Sequence, residues 1–322
     1  MSPAEMPSRI ARDDRILLLG AAGLVGQNLA LLLREQGYSN LVGIDKHPTN
    51  VDTLRRLNPD MRVIEADLAL PGAWQKEVAE ARVVVMLQAQ IGGERLAEFE
   101  ANNIRSTELV LAALGPHPGA YLVHISSSVV NSMAVDFYTE TKKAQEKLVR
   151  ESEVPHCVLR PTLMFGWFDR KHLGWLSRFM ARVPVFPIPG SGRYLRQPLF
   201  VMDFCRIIQR CMESQPDREI YDITGRERID YIDIIRSIRD TTGAGARIVR
   251  IPYLAFAALL KAYALASSNP PFTTRQLRAL VTPDEFELIP WWEIFGTRAT
   301  PFDEALATTF RDPRYGAIAL DF

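Results

Sequence analysis

The sequence predicts an α/β protein with a doubly wound parallel sheet, and three features support that prediction. Short apolar runs such as residues 16–19 end at a glycine or a polar residue, as strands do when both faces of a sheet are covered. Segments with apolar residues at helical spacing separate these runs. The alternation continues from about residue 14 to about residue 160, which is typical of successive βαβ units.

The first βαβ unit is the clearest. Residues 15–20, RILLLG, predict a strand, and apolar residues between 24 and 33 form one face of a helix that Gly37 ends. Residues 40–45, NLVGID, predict the next strand, so the two strands should be parallel and their connection right-handed. Further strands are predicted in RVIEAD, ARVVVMLQA and AYLVHISS, and a helix in EFEANNIRSTELVLAALG.

The chain divides into three parts. Residues 1–13 are polar, with no apolar run for a signal peptide, and are expected to be a disordered leader. Residues 14–160 hold the predicted sheet, and residues 161–322 are expected to form a smaller, substrate-covering α+β domain interleaved with the first. Residues 253–266, YLAFAALLKAYALA, are shorter than the ~20 residues that a bilayer span needs and contain Lys261, so they predict a buried helix and no membrane span.

Composition argues against several kinds of partner and site. The 38 Lys and Arg residues balance the 38 Asp and Glu residues, so no net charge draws the chain to nucleic acid or to an anionic membrane. Cys157, Cys205 and Cys211 lack the spacing of a metal site, so no metal is expected. So few cysteines are typical of a reducing compartment, and we expect a cytoplasmic protein with Cys157 in the core.

Three glycines after the first strand predict a dinucleotide site. Gly20 would allow a tight turn, Gly23 a close approach to a pyrophosphate, and Gly26 close packing of the helix on the strand, with the helix N-terminus facing the phosphates. Asp45 ends the next strand, where a carboxylate accepts hydrogen bonds from the adenosine ribose and repels a 2′-phosphate, so NAD is favoured over NADP. Lys46 works against that preference. The alternative is a glycine turn that only packs helix on sheet, with Asp45 capping a loop.

The glycine spacing and Asp45 resemble the extended short-chain dehydrogenase/reductase superfamily, and within it the NAD-dependent epimerase/dehydratase family that includes nucleotide-sugar enzymes. The resemblance implies a Rossmann-type sheet with NAD as the cofactor. It also implies cofactor contacts at Leu24, Val25, Lys46, Asp67, Leu68, Leu87, Gln88, Ala89 and Asn103.

Tyr138 and Lys142 are the candidate catalytic pair. Residues four apart on a helix share a face, so the Lys142 ammonium should lie near the phenol and lower the pKa of Tyr138 from about 10. Tyr138 would then exchange a proton with a carbinol oxygen as hydride moves, while a serine hydroxyl holds that oxygen. The family pattern assigns this serine role to Ser127, with Ser126 and Ser128 as rivals, and has Lys142 and Tyr138 also contact the cofactor. Such pairs also occur by chance, and a serine cluster can simply form a turn.

Further predicted contacts with the cofactor or the substrate lie before and after the helix that carries Tyr138 and Lys142. Pro161, in RPTLMFG, resembles the family segment that passes the nicotinamide. Arg196 resembles the family arginine that meets a diphosphate, with Asp203 seven residues later, and a planar guanidinium suits phosphate because it donates two bonds at once. A solvated arginine at a strand end is the alternative. Ser128 is a further predicted substrate contact.

Aromatic and basic residues follow Pro161. Trp167, Phe168 and Trp175 are expected in the core or at an interface rather than in a substrate pocket. Arg170 and His172 either touch an anionic substrate or serve only in packing and at the surface.

Two departures from the family pattern bear on the reaction. Ser127 lies eleven positions before Tyr138, so the longer insertion of many sugar-nucleotide enzymes is missing and the substrate pocket should differ. Val129 and Val130 stand where the 4,6-dehydratases of the family carry an Asp-Glu pair, which disfavours dehydration.

The sequence therefore predicts an NAD-dependent epimerase or oxidoreductase that acts on a sugar or sugar nucleotide by hydride transfer at a carbinol carbon, as a homodimer. One alternative is a dehydrogenase of a non-sugar alcohol or ketone, which the loss of phosphate-bearing ligands from the Arg196 site would favour. Another is a non-catalytic, nucleotide-binding accessory protein, because the short serine-to-tyrosine segment and residues 273–306 resemble the dehydrogenase-like accessory subunit of respiratory complex I.

Overall fold

The computed structural model describes residues 6–115, 119–266, 277, 280, 281 and 286–321. Its strands are β1 (Ile16–Leu19), β2 (Leu41–Asp45), β3 (Arg62–Glu65), β4 (Val83–Met86), β5 (Tyr121–Ile125), β6 (His156–Pro161), β7 (Met164–Phe165), β8 (Val185–Pro189), β9 (Leu195–Arg196), β10 (Leu199–Phe200), β11 (Ile220–Ile223), β12 (Ile229–Asp230) and β13 (Arg247–Ile251).

The helices follow the strands in alternation through the first half of the chain. They are α1 (Leu24–Glu35), α2 (Pro48–Leu57), α3 (Trp74–Ala79), α4 (Leu96–Phe99), α5 (Ser106–Leu114), α6 (Phe137–Glu151), α7 (Leu173–Met180), α8 (Val201–Ser214), α9 (Tyr231–Thr242), α10 (Tyr253–Ala266), α11 (Trp291–Ile294) and α12 (Phe302–Arg311). A π-helical turn (Glu100–Arg105) joins α4 to α5, and a 3-10 turn (Ser128–Asn131) precedes α6.

Seven parallel strands form the main sheet, in the order β11-β6-β5-β4-β1-β2-β3. The central strand β1 pairs with β2, where Ile16 lies opposite Leu41, and with β4, where Ile16 lies opposite Val83. The chain therefore builds one side of the sheet through β3 and then returns to build the other side from β4. Ligands of open α/β sheets bind outside the carboxyl ends of the strands at such a switch point. The predicted doubly wound parallel sheet is confirmed.

Both faces of this sheet are covered, which explains why its strands are continuous apolar runs. Ile16 and Leu18 of β1 are fully buried against one set of helices and Leu17 and Leu19 against the other. Removing each such side chain from water contributes about 1.5–3 kcal/mol. The strand ends, and the loops that follow them, are thereby held on a rigid base.

The C-terminal half of the chain contributes to the main sheet as well as to a smaller part. Strand β11 pairs with β6 along Ile220–Ile223, and helix α8 packs beside α1. The smaller part contains the two-stranded pairs β8 with β13 and β9 with β12. The main sheet therefore extends beyond residue 160, and the two parts are interleaved.

Residues 6–13 are attached to the body of the protein. The Arg9 N–H donates to the Glu213 carbonyl (2.7 Å), and the Ile10 side chain is buried. The predicted disordered leader was therefore wrong for residues 6–13, because a polar segment can still be fixed by backbone bonds and one buried side chain. Residues 1–5 lie outside the described residues.

Helix α10 differs from the buried helix that the sequence predicted. Leu254 is 80% exposed and Leu259 is 59% exposed. Because apolar residues occupy its whole circumference, the sequence pattern gave no indication of which side would be covered. No helix among the described residues is long and apolar enough to cross a membrane. Most of the tail segment 273–285 lies outside the described residues.

Gly26 tests the packing of α1 on the glycine turn that follows β1. A Cβ atom at Gly26 would lie 2.6 Å from the Ala21 carbonyl carbon, and backbone cannot easily move away. We expect Gly26→Ala to lower the free energy of unfolding by about 1–3 kcal/mol, measured by urea denaturation. Gly245→Ala is the matched control, because a Cβ there meets nothing within 4 Å. Equal unfolding midpoints for the two variants would show that the helix and the turn do not pack this closely.

Candidate active site

A large cavity of about 1190 Å³ opens at the carboxyl edge of the main sheet. It exceeds the ~300–1,000 Å³ of typical small-molecule pockets, so it has room for a dinucleotide and a second ligand. Its walls are the glycine turn, the ends of β2, β4 and β5, the start of α6 and two segments that follow β6. The predicted residues that line it are Gly20, Gly23, Leu24, Val25, Gly26, Asp45, Lys46, Asp67, Leu68, Leu87, Gln88, Ala89, Ser127, Ser128, Tyr138 and Pro161.

The glycine turn has the shape that a dinucleotide requires. Gly20 has a positive φ of 80°, and a Cβ there would lie 2.7 Å from the Gln88 backbone nitrogen. A Cβ at Gly23 would meet only the Gly20 oxygen, at 3.5 Å, so this glycine leaves its side of the turn open. Helix α1 begins at Leu24, and its N-terminal N–H groups are suited to phosphate.

Gln88 gives independent support for a ligand in this cavity. Both polar atoms of its side-chain amide are buried and have no hydrogen-bond partner in the protein. A buried amide without a partner is costly, so a ligand that supplies one would be stabilised here. The glycine turn and Gln88 therefore fit the dinucleotide that the sequence predicts.

Asp45 lies at the end of β2 beside the turn. Its carboxylate accepts hydrogen bonds from the Ala22 N–H (3.0 Å) and the His47 N–H (3.1 Å). The Lys46 ammonium donates to Asp67 (3.3 Å) and Asn102 (2.6 Å), which line the same cavity. The cation that works against NAD is therefore paired with a carboxylate, while Asp45 remains on the cavity wall.

Asn103 supports the cavity without lining it. Its Oδ1 accepts from the Gln90 N–H (2.7 Å), and its Nδ2 donates to Thr141 Oγ1 (2.9 Å). The residue lies in the π-helical turn, a feature that often marks functional sites. Asn103 was predicted to contact the cofactor. In the structure its side chain joins the loop after β4 to α6.

Tyr138 lies in the first turn of α6, which Asp136 caps by accepting from the Thr139 N–H (3.0 Å). Its hydroxyl lies close enough to the Ser127 side chain for the two to interact. Burial raises the pKa of Tyr138, the interaction with Ser127 opposes the rise, and the charge of Asp136 adds to it. The predicted lowering of this pKa was wrong, because burial of the phenol dominates. Tyr138 is therefore protonated at neutral pH.

Lys142 is fully buried and does not line the cavity. Its ammonium donates to the Ile125 carbonyl (3.0 Å) and to the Gln145 side chain. Burial lowers the pKa of Lys142 to about 7, and the charge of Glu146 opposes that shift. Contact of Lys142 with the cofactor stays a prediction, and the structure shows its ammonium bonded to the end of β5.

The three serines Ser126, Ser127 and Ser128 have different surroundings. The Ser126 hydroxyl donates to Glu146 (2.6 Å), which is also paired with Arg160. Ser128 begins the 3-10 turn and lines the cavity. Among these three, Ser127 is the serine whose side chain acts on the pKa of Tyr138. Glu146 was missed by sequence analysis, although it lies four residues after Lys142 on the same helix face.

Arg196 and Asp203 do not line this cavity. The Arg196 guanidinium donates to the backbone carbonyls of Leu195 (2.6 Å) and Leu280. Asp203 accepts from the Thr300 N–H (2.8 Å) and fixes the loop before α12. The predicted substrate contact at Arg196 is thus not part of the cavity wall, because the guanidinium is held on backbone next to β9.

A segment after β7 forms one wall of the cavity. The sequence did not clearly indicate this role. Residues 168–172 line the cavity, and Phe168 is buried with a positive φ of 70°. Arg170 and His172, for which the sequence left two interpretations, are part of this wall. The neighbouring Trp167 packs on Tyr315, with ring centroids 4.8 Å apart, as expected of a core or interface residue.

Metal-binding geometry is absent from the described part of the chain. No group of three or more His, Cys, Asp or Glu side chains there could hold a metal ion. Cys157, Cys205 and Cys211 are free and buried.

Comparisons with known proteins give one family and a wider set of relatives. A model of the NAD dependent epimerase/dehydratase family matches residues 16–224. A 4-hydroxy-2-methyl-3-oxo-4-farnesyl-3,4-dihydroquinoline-1-oxide ketoreductase of Stigmatella aurantiaca is 27% identical over 264 residues, 75% of this chain and 77% of that protein. Subunit 9 of the mitochondrial NADH dehydrogenase (ubiquinone) 1 alpha subcomplex of Dictyostelium discoideum is 22% identical over 72% of this chain and 65% of that protein.

A solved structure with a similar fold is the UDP-glucuronic acid 4-epimerase of Bacillus cereus in complex with NAD. It superposes with a TM-score of 0.63 and 23% identity, over 84% of this chain and 94% of that chain.

Replacing Asp45 tests the choice of cofactor. Asp45→Asn removes the negative charge and keeps the size of the side chain. We expect the Kd for NAD to rise about tenfold, the cost of one charge-assisted hydrogen bond, and the Kd for NADP to rise less. Isothermal titration with both dinucleotides measures this. An equal loss for the two would contradict the role of Asp45 at the adenosine ribose.

Lys142 gives a prediction for stability against pH. Its pKa is about 7 in the folded protein and about 10.4 in an unfolded chain. Between these values the unfolded chain binds the additional proton, so the free energy of unfolding rises with pH. We expect the wild type to gain stability relative to Lys142→Met over this range.

The exposed Lys147 supplies the control for this titration. Lys147→Met removes a lysine of the same helix whose side chain is 72% exposed. Urea denaturation at several pH values measures both variants. A difference between wild type and Lys142→Met that does not change with pH would contradict the burial of a titrating amine.

Proposed function

The chain belongs to the NAD-dependent epimerase/dehydratase family, and from that premise we propose that it is an NAD-dependent epimerase or oxidoreductase acting at a carbinol carbon. We propose a sugar or sugar nucleotide as the substrate, with Ser127 and Tyr138 performing the proton chemistry. NAD supplies the acceptor for hydride, and its reduced form supplies the donor. Location in the cytoplasm and dimerisation stay predictions.

The placement of Ser127 and Tyr138 side by side on the cavity wall is the observation that carries this proposal. Both side chains line the cavity beside the end of β5. A carbonyl oxygen placed between two hydroxyls can be held by one and protonated by the other. Because burial raises the pKa of Tyr138, the phenol is ready to donate a proton to a ketone. Oxidation of an alcohol needs the reverse transfer, in which the phenolate accepts the proton.

The residues that would hold NAD form one continuous wall. The turn from Gly20 to Gly26 would bind the pyrophosphate, and Asp45 the adenosine ribose. Leu68 gives an apolar surface for the adenine, and Gln88 brings its unpartnered amide. Lys142 contributes indirectly, since its ammonium joins α6 to the end of β5 and thereby sets the position of Tyr138.

Support for a sugar-type substrate comes from the family and from the solved fold relative, whose own substrate is a UDP-sugar acid. Val129 lines the cavity next to Ser128, where a dehydratase would need an acid and a base. Val129 offers no acid or base for water elimination at this position, which favours epimerisation or net oxidoreduction over dehydration.

A non-sugar ketone or alcohol is the second candidate substrate. Arg196, expected to bind a diphosphate, is turned away from the cavity, while Leu163, Met164 and Ile91 give its wall an apolar part. The Stigmatella relative is a ketoreductase of a farnesylated quinoline oxide. A panel with both UDP-sugars and apolar ketones separates the two candidates, because turnover of one class only would decide between them.

A non-catalytic role is the third candidate. The Dictyostelium relative is a subunit of a respiratory NADH dehydrogenase. This role requires bound dinucleotide and no turnover with either substrate class. The neighbouring Ser127 and Tyr138 on the cavity wall argue for catalysis, because a purely structural site has no need of a proton donor in the cavity.

Substitution of the two hydroxyls tests the proposed proton transfer. Tyr138→Phe should lower kcat by about a hundredfold or more while NAD affinity stays nearly unchanged, since only the proton donor is lost. Ser127→Ala should lower kcat by about a hundredfold because the substrate oxygen loses a donor. Turnover is followed by the absorbance of reduced nicotinamide with the accepted substrate, or by product analysis if the cofactor is recycled.

Ser126→Ala is the matched control for these variants. Its hydroxyl donates to Glu146, so this substitution removes a serine of the same cluster without touching the proposed proton path. We expect it to keep most of the wild-type kcat. Unchanged turnover in Tyr138→Phe, or a larger loss in Ser126→Ala than in Ser127→Ala, would contradict the assignment.

A further inference from the structure

Residues 168–172, here called the basic strap, line the same cavity as the glycine turn. Arg170 lies near Asp45, at the end of β2, closely enough for the two charges to interact. Lys171 reaches the loop after β4, where its ammonium would be 3.5 Å from a Cβ placed on Gly92. Because β1 lies between β2 and β4 in the sheet, a segment that spans their ends must pass over the end of β1.

The strap is held in this shape by its own hydrogen bonds. The Asp169 carboxylate accepts from the N–H groups of Lys171, His172 and Gly174, each at 2.9 Å. Arg178 donates to the Asp169 carbonyl (2.9 Å) and so fixes the strap on helix α7. The backbone that carries Arg170 and Lys171 is therefore built before any ligand arrives.

The outer end of the strap is anchored on helix α1 and on the C-terminal residues. The Asn28 side chain of α1 donates to the Trp167 carbonyl (3.0 Å), and Phe168 pairs with Ala319 through a β-bridge. Phe168 also packs in a small apolar cluster with Leu31 and Leu320. These contacts hold the strap against the adenosine side of the cavity.

Arg170 and Lys171 bring positive charge to a partly buried part of the cavity wall. Burial lowers the pKa of Arg170, against the opposing charges of Asp45 and Asp321. Burial also lowers the pKa of Lys171, and the charge of Arg170 adds to that shift. Two cations on one segment, in the same cavity as the glycine turn, suit an anionic ligand there.

We propose that Arg170 and Lys171 are cofactor-binding residues that close over the glycine turn and bind the pyrophosphate of the dinucleotide. The pyrophosphate would then be held from below by the N–H groups of the turn and from above by two side chains. This proposal depends on the dinucleotide site of the proposed function and not on the reaction. In this proposal, a segment outside the βαβ units helps to retain the cofactor.

Titration with cofactor fragments tests the strap. ADP-ribose contains the pyrophosphate and adenosine does not, so Arg170→Gln/Lys171→Gln should raise the Kd of ADP-ribose about tenfold or more and that of adenosine by less than about twofold. Affinity for ADP-ribose should also depend less on salt in the variant, because the lost interactions are ionic. Lys76→Gln/Arg236→Gln, which removes two surface charges, is the control and should bind both fragments as the wild type does.

Several outcomes would overturn the proposal. Equal losses for adenosine and ADP-ribose would show that the strap only shapes the cavity, and a loss confined to NADP would place Arg170 at a 2′-phosphate. Unchanged affinity for ADP-ribose would show that neither side chain contacts the pyrophosphate. The charge-conserving variant Arg170→Lys/Lys171→Arg should retain most of the affinity, and Lys171→Gln alone should show part of the loss if the double variant does not fold. Tyr138→Phe should bind ADP-ribose normally, so failure of the catalytic proposal leaves this result intact.

Discussion

The parallel pairing of β1 with β2 on one side and β4 on the other determines the arrangement of the site. Parallel strands end at the same edge, and the chain leaves β1 for opposite sides of the sheet, so a crevice forms above its end. The glycine turn, Asp45 and Gln88 then come together although they lie far apart in sequence. Apolar burial on both faces of β1 holds this crevice in place.

Helix α6 depends on buried polar contacts for its position. Asn103 bonds to Thr141, and the Lys142 ammonium bonds to the end of β5. These two contacts connect the helix to the segments that follow β4 and to β5 itself. They orient the first turn, so Tyr138 meets Ser127 at the cavity wall. A lysine expected to act on the cofactor is thereby a positioning residue in this arrangement.

The sequence allowed a sound prediction wherever a function follows from local backbone geometry. The glycine turn and Asp45 could be placed because strand, turn and helix are consecutive, and their spacing alone sets the shape. Lys142 and Arg196 could not, because the direction of a long side chain depends on carbonyl groups that other segments supply. Residues 168–172 reach the cavity only through contacts with α1, α7 and the C-terminal residues, which no local pattern encodes.

The central claim is that the cavity at the strand ends binds a nicotinamide dinucleotide. Native mass spectrometry of the purified protein, with and without added NAD, measures this directly because the mass identifies both the ligand and its stoichiometry. The account predicts one dinucleotide per chain, either retained through purification or taken up on addition. A wild-type protein that binds none at millimolar NAD while remaining folded would contradict it.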